Sequence, residues 1–203
     1  MFLDEKLLQT ESNWKEQEKR ERYLTEIRED ILRQELEQKT VEERVGELKC
    51  ETVEIEGREF LCEKRRLLDS RIPVFVFPED VDGIFEENNV ATVFYRTLEI
   101  GTNLTFINQP AVIKNEAEFQ KKLTEQYFKD KLTYYPLETG NFRSGNHRIC
   151  YAEGVLTSAA GGVFINNFYC SGKKRTITGN YTCRLAKRYT FAHLFQAMVS
   201  QMF

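Results

Sequence analysis

The sequence predicts an α+β protein in which an antiparallel sheet is packed by two amphipathic helices and preceded by a long, charged N-terminal helix. Three observations predict this class. The first 48 residues lack proline and are rich in helix-forming residues, polar–apolar alternation begins near Cys50, and two later segments carry apolar residues at helical spacing. The expected organisation is a helix over residues 1–49 and a globular domain over residues 50–203.

The N-terminal segment carries one narrow apolar stripe. Residues of the stripe recur three and four positions apart in two places, first Leu24, Ile27, Ile31 and then Val41, Val45, Leu48. A helix of this kind is stable only when its stripe packs on its own domain, on a second copy or on a partner. These three alternatives stay open, although the apolar heptads are too few to favour an autonomous coiled-coil homodimer.

The first half of the domain shows the alternation of β-strands. Two strands are predicted on either side of a Glu56-Gly57 turn, followed by a buried strand at Ile72–Phe77 and by strands at VATVFYRTLE and NLTFINQP, with Gly101 as the turn between these last two. Between the buried strand and VATVFYRTLE, the segment VDGIFEENN is interpreted as a short helical or irregular link.

The second half of the domain combines two helices with a run of strands. Asn115 and Glu118 form a capping-box pattern before a helix that presents Phe119, Leu123, Tyr127 and Phe128 on one face. The segment LTYYPLETGNFRSGN is interpreted as a loop, and three consecutive strands are predicted after it as an antiparallel meander. Thr190 is predicted to cap a last helix whose apolar face covers the sheet: Phe191, Leu194, Phe195, Met198, Val199, Met202.

Charge is distributed unevenly along the chain. The net charge is −3, yet residues 131–203 carry nine basic and only two acidic side chains. Lys173, Lys174 and Arg175 stand in this basic third close to tyrosines, a composition that nucleic-acid-binding proteins share. Lysine-rich hairpin tips also occur simply to keep a sheet soluble, so nucleic-acid binding is the less favoured interpretation.

Residues that would support catalysis or metal binding are sparse. The chain has two histidines and five cysteines, with no CxxC spacing and no phosphate-binding glycine loop. Only His147 and Cys150 stand close in sequence, and side chains three positions apart on a strand point to opposite faces. No catalytic residue, cofactor or metal ligand is therefore predicted, and an enzyme that uses Cys150 and His147 is kept as an alternative.

The cysteines and the N-terminus suggest where the protein resides. An odd number of unpaired cysteines fits a reducing compartment, and the sequence shows neither a signal-peptide pattern nor an apolar run of about 18–20 residues that could span a membrane. A cytoplasmic location is therefore expected. In that location the two Asn-x-Thr triplets, at Asn103 and Asn180, would not be glycosylated.

Four segments together resemble the Mog1/PsbP-like fold, and especially bacterial proteins of the DcrB/DUF1795 type. They are FVFPEDV from Phe75, VATVFYRTLE, EAEFQKKL and the closing YTCRLAKRYTFAHLFQAMVSQM. The resemblance covers residues 50–203 and leaves the N-terminal helix unaccounted for. It implies a non-catalytic protein-binding module, such as an adaptor or a chaperone for a secreted or phage-like assembly, with another protein as its partner. The residues proposed to contact that partner are Leu24, Ile27, Ile31, Lys173, Lys174 and Arg175.

Overall fold

The computed structural model describes residues 38–68, 71–87, 91–108, 113–144, 147–158, 161–171 and 175–202. The chain divides into two units, Met1–Gln38 and Lys39–Phe203, and every described helix and strand belongs to the second. Residues 1–37 of the helix predicted over residues 1–49 therefore lie outside the described residues. Leu24, Ile27 and Ile31 belong to this part.

The described unit contains three α-helices and eleven strands. The helices are α1 (Val41–Lys49), α2 (Glu116–Lys129) and α3 (Arg188–Ser200). The strands are β1 (Thr52–Ile55), β2 (Arg58–Leu61), β3 (Glu63–Leu67), β4 (Ile72–Val76), β5 (Val81–Glu87), β6 (Thr92–Thr97), β7 (Ile100–Ile107), β8 (Thr133–Ser144), β9 (His147–Ser158), β10 (Gly161–Ser171) and β11 (Thr176–Arg184).

Seven strands form one antiparallel sheet in the order β5-β6-β7-β11-β10-β9-β8. It consists of two meanders, β5–β7 and β8–β11, whose last strands pair with each other. Because β8–β11 returns to lie beside β7, the connection between the meanders, which contains α2, must cross the sheet. The predicted antiparallel sheet with strands at VATVFYRTLE and NLTFINQP and a three-strand meander is confirmed.

Four short strands make two hairpins outside the large sheet. The pair β1–β2 turns at Glu56-Gly57, where both residues have positive φ, as the two-residue hairpin turn predicted there requires. The predicted second strand is interrupted at Cys62, and its continuation, β3, pairs with β4. All five residues of β4 are buried. The buried strand predicted over Ile72–Phe77 is therefore confirmed, with the strand ending one residue earlier, at Val76.

The predictions for the two outermost strands of the sheet are wrong. VDGIFEENN, interpreted as a link, contains β5, and LTYYPLETGNFRSGN, interpreted as a loop, contains β8. The register of β5 shifts between Asp82 and Phe85, and that of β8 shifts between Pro136 and Glu138. A bulge interrupts the two-residue alternation by which strands are identified. Similarly, the turn assigned to Gly101 lies at Leu98-Glu99, where φ is positive at both residues.

One face of the sheet is covered by α3 and the small hairpins, and this is the main core. The six apolar residues predicted for the last helix are all buried there, and Phe195 stacks between Phe191 and Phe164 with ring centroids 5.9 and 6.1 Å away. The helix begins at Arg188 after Lys187, which makes no side-chain cap. The prediction that Thr190 caps α3 is therefore wrong by one turn.

The opposite face of the sheet is partly covered by α2. The Asn115 side chain accepts a hydrogen bond from the Glu118 backbone N–H at 2.8 Å, which confirms the predicted helix start. Phe119 packs with Cys150 and Tyr169 in a second, smaller cluster. Phe128, which was predicted on the same helix face, is instead 83% exposed.

The helix α1 packs against α3. It begins with a complete capping box, in which the side chains of Thr40 and Glu43 each accept a hydrogen bond from the other's backbone N–H. Leu48 is buried in the main core, and buried Arg44 donates to the Glu54 carbonyl at 2.6 Å and to Glu47 at 2.8 Å. The stripe of Val41, Val45 and Leu48 therefore docks on the chain's own domain.

Candidate interaction surface on the sheet

The face of the sheet that carries α2 is only half covered. Among the described helices, α2 packs mainly against β8 and β9. The neighbouring strands β6, β7 and β11 present side chains on this face that no described helix covers. We call these residues the open face: Thr92, Phe94, Arg96, Gly101, Asn103, Thr105, Ile107, Thr178, Asn180, Thr182.

The antiparallel register arranges the open face in rows that cross the strands. One row is formed by asparagines on three adjacent strands, in the order Asn167, Asn180 and Asn103, and ends at Phe94. A second row consists of Thr178, Thr105 and Thr92. Neighbouring strands are about 4.8 Å apart, so the amide groups of one row lie side by side.

The open face is poor in charge and partly apolar. Charged residues make up 30% of the chain, yet Arg96 is the one charged residue among the ten of the open face. Phe94 is 39% exposed and Ile107 is 37% exposed at two places on this face. Exposed apolar side chains with few charges are typical of the centre of a protein-binding surface.

A shallow pocket of about 450 Å³ lies within the open face. Arg96 and Phe94 line it from β6, Asn103 from β7, and Asn180 and Thr182 from β11. The depression exists because Gly101, the row neighbour of Arg96 and Thr182, has no side chain. A Cβ at Gly101 would come within 2.6 Å of the Thr182 hydroxyl oxygen, which shows how closely the side chain of Thr182 approaches the β7 backbone.

The polar side chains of this pocket are available for a ligand. Within the described part of the chain, Arg96, Asn103 and Asn180 make no side-chain hydrogen bond or ion pair. By contrast, Asn167, which continues the same row under α2, accepts a hydrogen bond from the Tyr127 hydroxyl at 2.8 Å. In this row, the side-chain oxygen of Asn167 is hydrogen bonded where α2 covers the sheet. The side chains of Asn103 and Asn180, on the open part, make no hydrogen bond within the described residues.

Of the six residues predicted to contact a partner, the structure describes Arg175, which does not line the pocket. Lys173 and Lys174, like Leu24, Ile27 and Ile31, lie outside the described residues. Arg175 is exposed and directly precedes β11, whereas the pocket begins five residues later at Asn180. A partner surface at these six positions therefore stays a prediction.

The structure does not bring His147 and Cys150 together. Cys150 is buried in the cluster beneath α2, and His147, three positions earlier on β9, belongs to the opposite face of the sheet. Burial raises the pKa of the Cys150 thiol, and it raises the pKa of the Cys62, Cys170 and Cys183 thiols to about 12. A raised pKa keeps these thiols protonated, the opposite of what a nucleophile needs.

A second polar cluster lies inside the core, between the sheet and α3. The Glu153 carboxylate is 1% exposed and accepts hydrogen bonds from Asn166 at 3.0 Å and Gln196 at 2.9 Å. The Arg188 guanidinium lies 3.8 Å away and also stacks over the Phe164 ring. Desolvation raises the pKa of Glu153 although Gln196 and Arg188 oppose this rise. Glu153 and Asn166 are both buried, so a substrate could not reach the carboxylate without opening the core.

Two more observations concern the described residues alone. No group of three or more His, Cys, Asp and Glu side chains in the described ranges is arranged to hold a metal ion. None of the described helices is both long and apolar enough to cross a membrane.

The described unit has a PsbP-like fold. Among solved structures, the chain is similar to cyanobacterial PsbP (CyanoP) from Synechocystis sp. PCC 6803, with a TM-score of 0.56 and 8% sequence identity. The match covers 68% of this chain and 89% of CyanoP. No family model matches the sequence, and no curated protein matches it. The likeness confirms the predicted PsbP-like fold, while the finer assignment to the DcrB/DUF1795 type stays a prediction.

Sequence reasoning missed the open face, although one signal was present. Asn103 and Asn180 each begin an Asn-x-Thr triplet, and on sequence grounds these triplets predict only glycosylation sites that a cytoplasmic protein would leave unmodified. The register of β7 with β11 places these two asparagines directly opposite each other. A long-range strand pairing of this kind is not encoded in local alternation, so the shared pocket became visible only in the structure.

Proposed function

We propose that this protein is a non-catalytic binding module that holds a partner protein on the open face of its sheet. The observation that carries the proposal is the contrast between the two halves of this face. Under α2 the face is packed and the Asn167 side-chain oxygen is hydrogen bonded. On β6, β7 and β11 the face presents exposed Phe94 and Ile107 beside Arg96, Asn103 and Asn180, whose side chains make no hydrogen bond or ion pair within the described residues. The PsbP-like fold supports a binding or accessory role.

In its finer form, the proposal is that the protein acts in the cytoplasm as an adaptor or chaperone for a secreted or phage-like assembly. The resemblance to DcrB/DUF1795-type bacterial proteins supports this form. Leu24, Ile27 and Ile31 would provide a second contact, either to the partner or to another copy of the chain. Lys173, Lys174 and Arg175 would add positive charge at the tip of the β10–β11 hairpin.

The proposal is tested by removing the exposed apolar groups of the open face. The double variant Phe94→Ala with Ile107→Ala is expected to lose at least about 1–2 kcal/mol of partner binding, because both side chains would be buried in the complex. Partners are captured with the wild-type full chain from an extract of the source cells, identified, and then purified for calorimetric titration against each variant.

The matched control is Phe128→Ala, which removes an aromatic ring that is 83% exposed on α2, away from the open face. This control should bind the partner as the wild type does. If Phe128→Ala weakens binding while the double variant at Phe94 and Ile107 does not, the open face is not the binding surface. Equal melting temperatures of all three proteins would show that folding is unaffected.

A further inference from the structure

The pocket of the open face has a definite chemical character. It combines one guanidinium, from Arg96, with two carboxamides, from Asn103 and Asn180, and the ring of Phe94. Within the described residues, the three polar groups make no hydrogen bond or ion pair of their own. Each carboxamide offers two N–H donors, and the guanidinium offers a planar pair of donors.

This donor set matches a carboxylate. A guanidinium binds a carboxylate through two parallel N–H···O bonds, and such charge-assisted bonds are about twice as strong as neutral ones. Phosphate groups are usually bound by clusters of arginines, whereas Arg96 is the one cation among the ten residues of the open face. A group with a single negative charge is therefore the better match to the pocket.

The carboxylate could come from a chain terminus or from a side chain. The hydrogen bonding of the pocket's backbone favours one of these two sources over the other. C-terminal carboxylates are typically held by free backbone N–H groups arranged as a nest. Here β6, β7 and β11 are interior strands with a neighbour on each side, so their N–H groups are used in the sheet ladders. Recognition in this pocket must come from side chains, and the open shape of the face lets an extended chain pass across it.

We propose that the Arg96 pocket binds the carboxylate of an Asp or Glu side chain in an extended segment of the partner protein, with Phe94 against the apolar part of that segment. The inference rests on the proposed function, since it names what the open face recognises.

The test uses the ¹⁵N-labelled full chain and three nonapeptides of otherwise identical sequence. Two are blocked at both ends and differ only in a central Glu or Gln, and the third is the Gln peptide with a free C-terminal carboxylate. Binding is followed through the side-chain N–H signals of Arg96, Asn103 and Asn180. The Glu peptide is expected to bind about fivefold or more tightly than either Gln peptide. Fivefold corresponds to about 1 kcal/mol, which is less than a hydrogen bond to a charged group contributes.

Two variants identify the group responsible. Arg96→Gln should abolish the difference between the Glu and Gln peptides, whereas Arg143→Gln, a change of an exposed arginine on β8, should leave it intact. Equal melting temperatures of the variants would show that each is folded.

The inference is overturned if no peptide binds at concentrations up to about 5 mM, if wild-type protein binds the Glu and blocked Gln peptides alike, or if the free C-terminus binds best. It is also overturned if Arg143→Gln acts as strongly as Arg96→Gln. Should any of these results accompany a loss of partner binding in the Phe94 and Ile107 double variant, the open face remains the binding surface and only the acidic recognition is wrong.

Discussion

At the scale of single residues, Glu153 is the most unusual side chain of the core. It is almost fully buried between β9 and α3, and its hydrogen bonds come from neutral amides rather than from a close cation. Arg188 is 3.8 Å away, and Glu138, its cross-strand neighbour, adds negative charge. Desolvation by burial is the largest influence and raises the pKa of Glu153, and the nearby charge of Glu138 raises it further. Gln196 and Arg188 lower this pKa, but by less than burial raises it, so the net pKa is raised.

The pH dependence of stability follows from this raised pKa. In the unfolded chain Glu153 titrates near 4.5, and in the folded protein it titrates higher, so the folded state binds the extra proton between these two values. Stability is then lost as the pH rises from the unfolded pKa through the folded pKa. Glu153→Gln keeps the shape of the side chain without the charge, so its unfolding free energy should fall less than that of the wild type over this interval.

The measurement is urea unfolding of both proteins at several pH values between about 4.5 and 8. Glu138→Gln serves as the control. It removes the charge of the exposed neighbour of Glu153, so the plot of unfolding free energy against pH should become only partly flatter. Parallel pH curves for the wild type and Glu153→Gln would show that Glu153 does not carry this dependence. In that case the half-buried Arg188 would be neutralising it more effectively than the geometry indicates.

At the scale of elements, the predictable and unpredictable strands differ in their place in the sheet. The interior strands β6, β7, β9, β10 and β11 are predicted from the sequence, by polar–apolar alternation in β6 and by runs bounded by turn residues in the others. Both missed strands, β5 and β8, are the edges of the sheet, and each has a bulge, near Gly83 and near Pro136 respectively. Edge strands tolerate glycine, proline and bulges because one side has no ladder to maintain, and these are the features that signal a loop in the sequence.

The junction of the two meanders, where β7 pairs with β11, leaves no room for a side chain at Gly179. A Cβ added at Gly179 of β11 would lie 2.1 Å from the Asn103 backbone oxygen and 3.0 Å from the Leu104 Cα. Because backbone atoms cannot swing aside, the strands must separate. Gly179→Ala should lower the free energy of unfolding by about 1–3 kcal/mol or more.

The matched control for this change is Gly46→Ala on α1. A Cβ at Gly46 meets nothing within 4 Å, and alanine in a helix interior is favoured over glycine by about 0.5–1 kcal/mol. The two substitutions are chemically identical and are expected to shift the urea midpoint in opposite directions. If Gly179→Ala were neutral, the register between β7 and β11 that places Asn103 beside Asn180 would have to be wrong.

At the scale of the whole molecule, sequence reasoning found the architecture but not the candidate site. The apolar face of α3 and the cap of α2 are local patterns, and both could be identified from spacing alone. The pocket joins Arg96, Asn103 and Asn180, which lie up to 84 positions apart and meet only through the pairing of two separate meanders. No periodicity within one segment contains that information, which explains why the predicted contacts were placed on the charged N-terminal stretch and the basic hairpin instead.

The contacts of α1 predict the residue at which a shortened chain can begin and still fold stably. Three contacts tie the start of the described unit to α3: Leu48 is buried in the main core, Arg44 donates to the Thr190 carbonyl at 3.5 Å, and a His193 ring nitrogen lies 2.8 Å from the Lys39 carbonyl oxygen. A chain that begins at Lys39 keeps all of them, whereas one that begins at Cys50 loses α1 entirely. We therefore expect the Lys39 chain to unfold within about 0.5 kcal/mol of the full chain, and the Cys50 chain to be less stable by about 2–5 kcal/mol, the cost of removing a large buried side chain.

Urea unfolding of the three chains measures these differences. Light scattering on the same samples tests the alternative that the chain forms a homodimer through its N-terminal segment. A full chain that is dimeric beside a monomeric Lys39 chain would assign self-association to residues 1–38, where Leu24, Ile27 and Ile31 lie. If the Lys39 chain is also dimeric, self-association belongs to the domain, and the open face of the sheet becomes the first surface to test with the Phe94 and Ile107 double variant. If the Cys50 chain proves as stable as the full chain, the burial of Leu48 and Arg44 contributes nothing measurable to the free energy of unfolding. In that case α1 packs on the domain without stabilising its core.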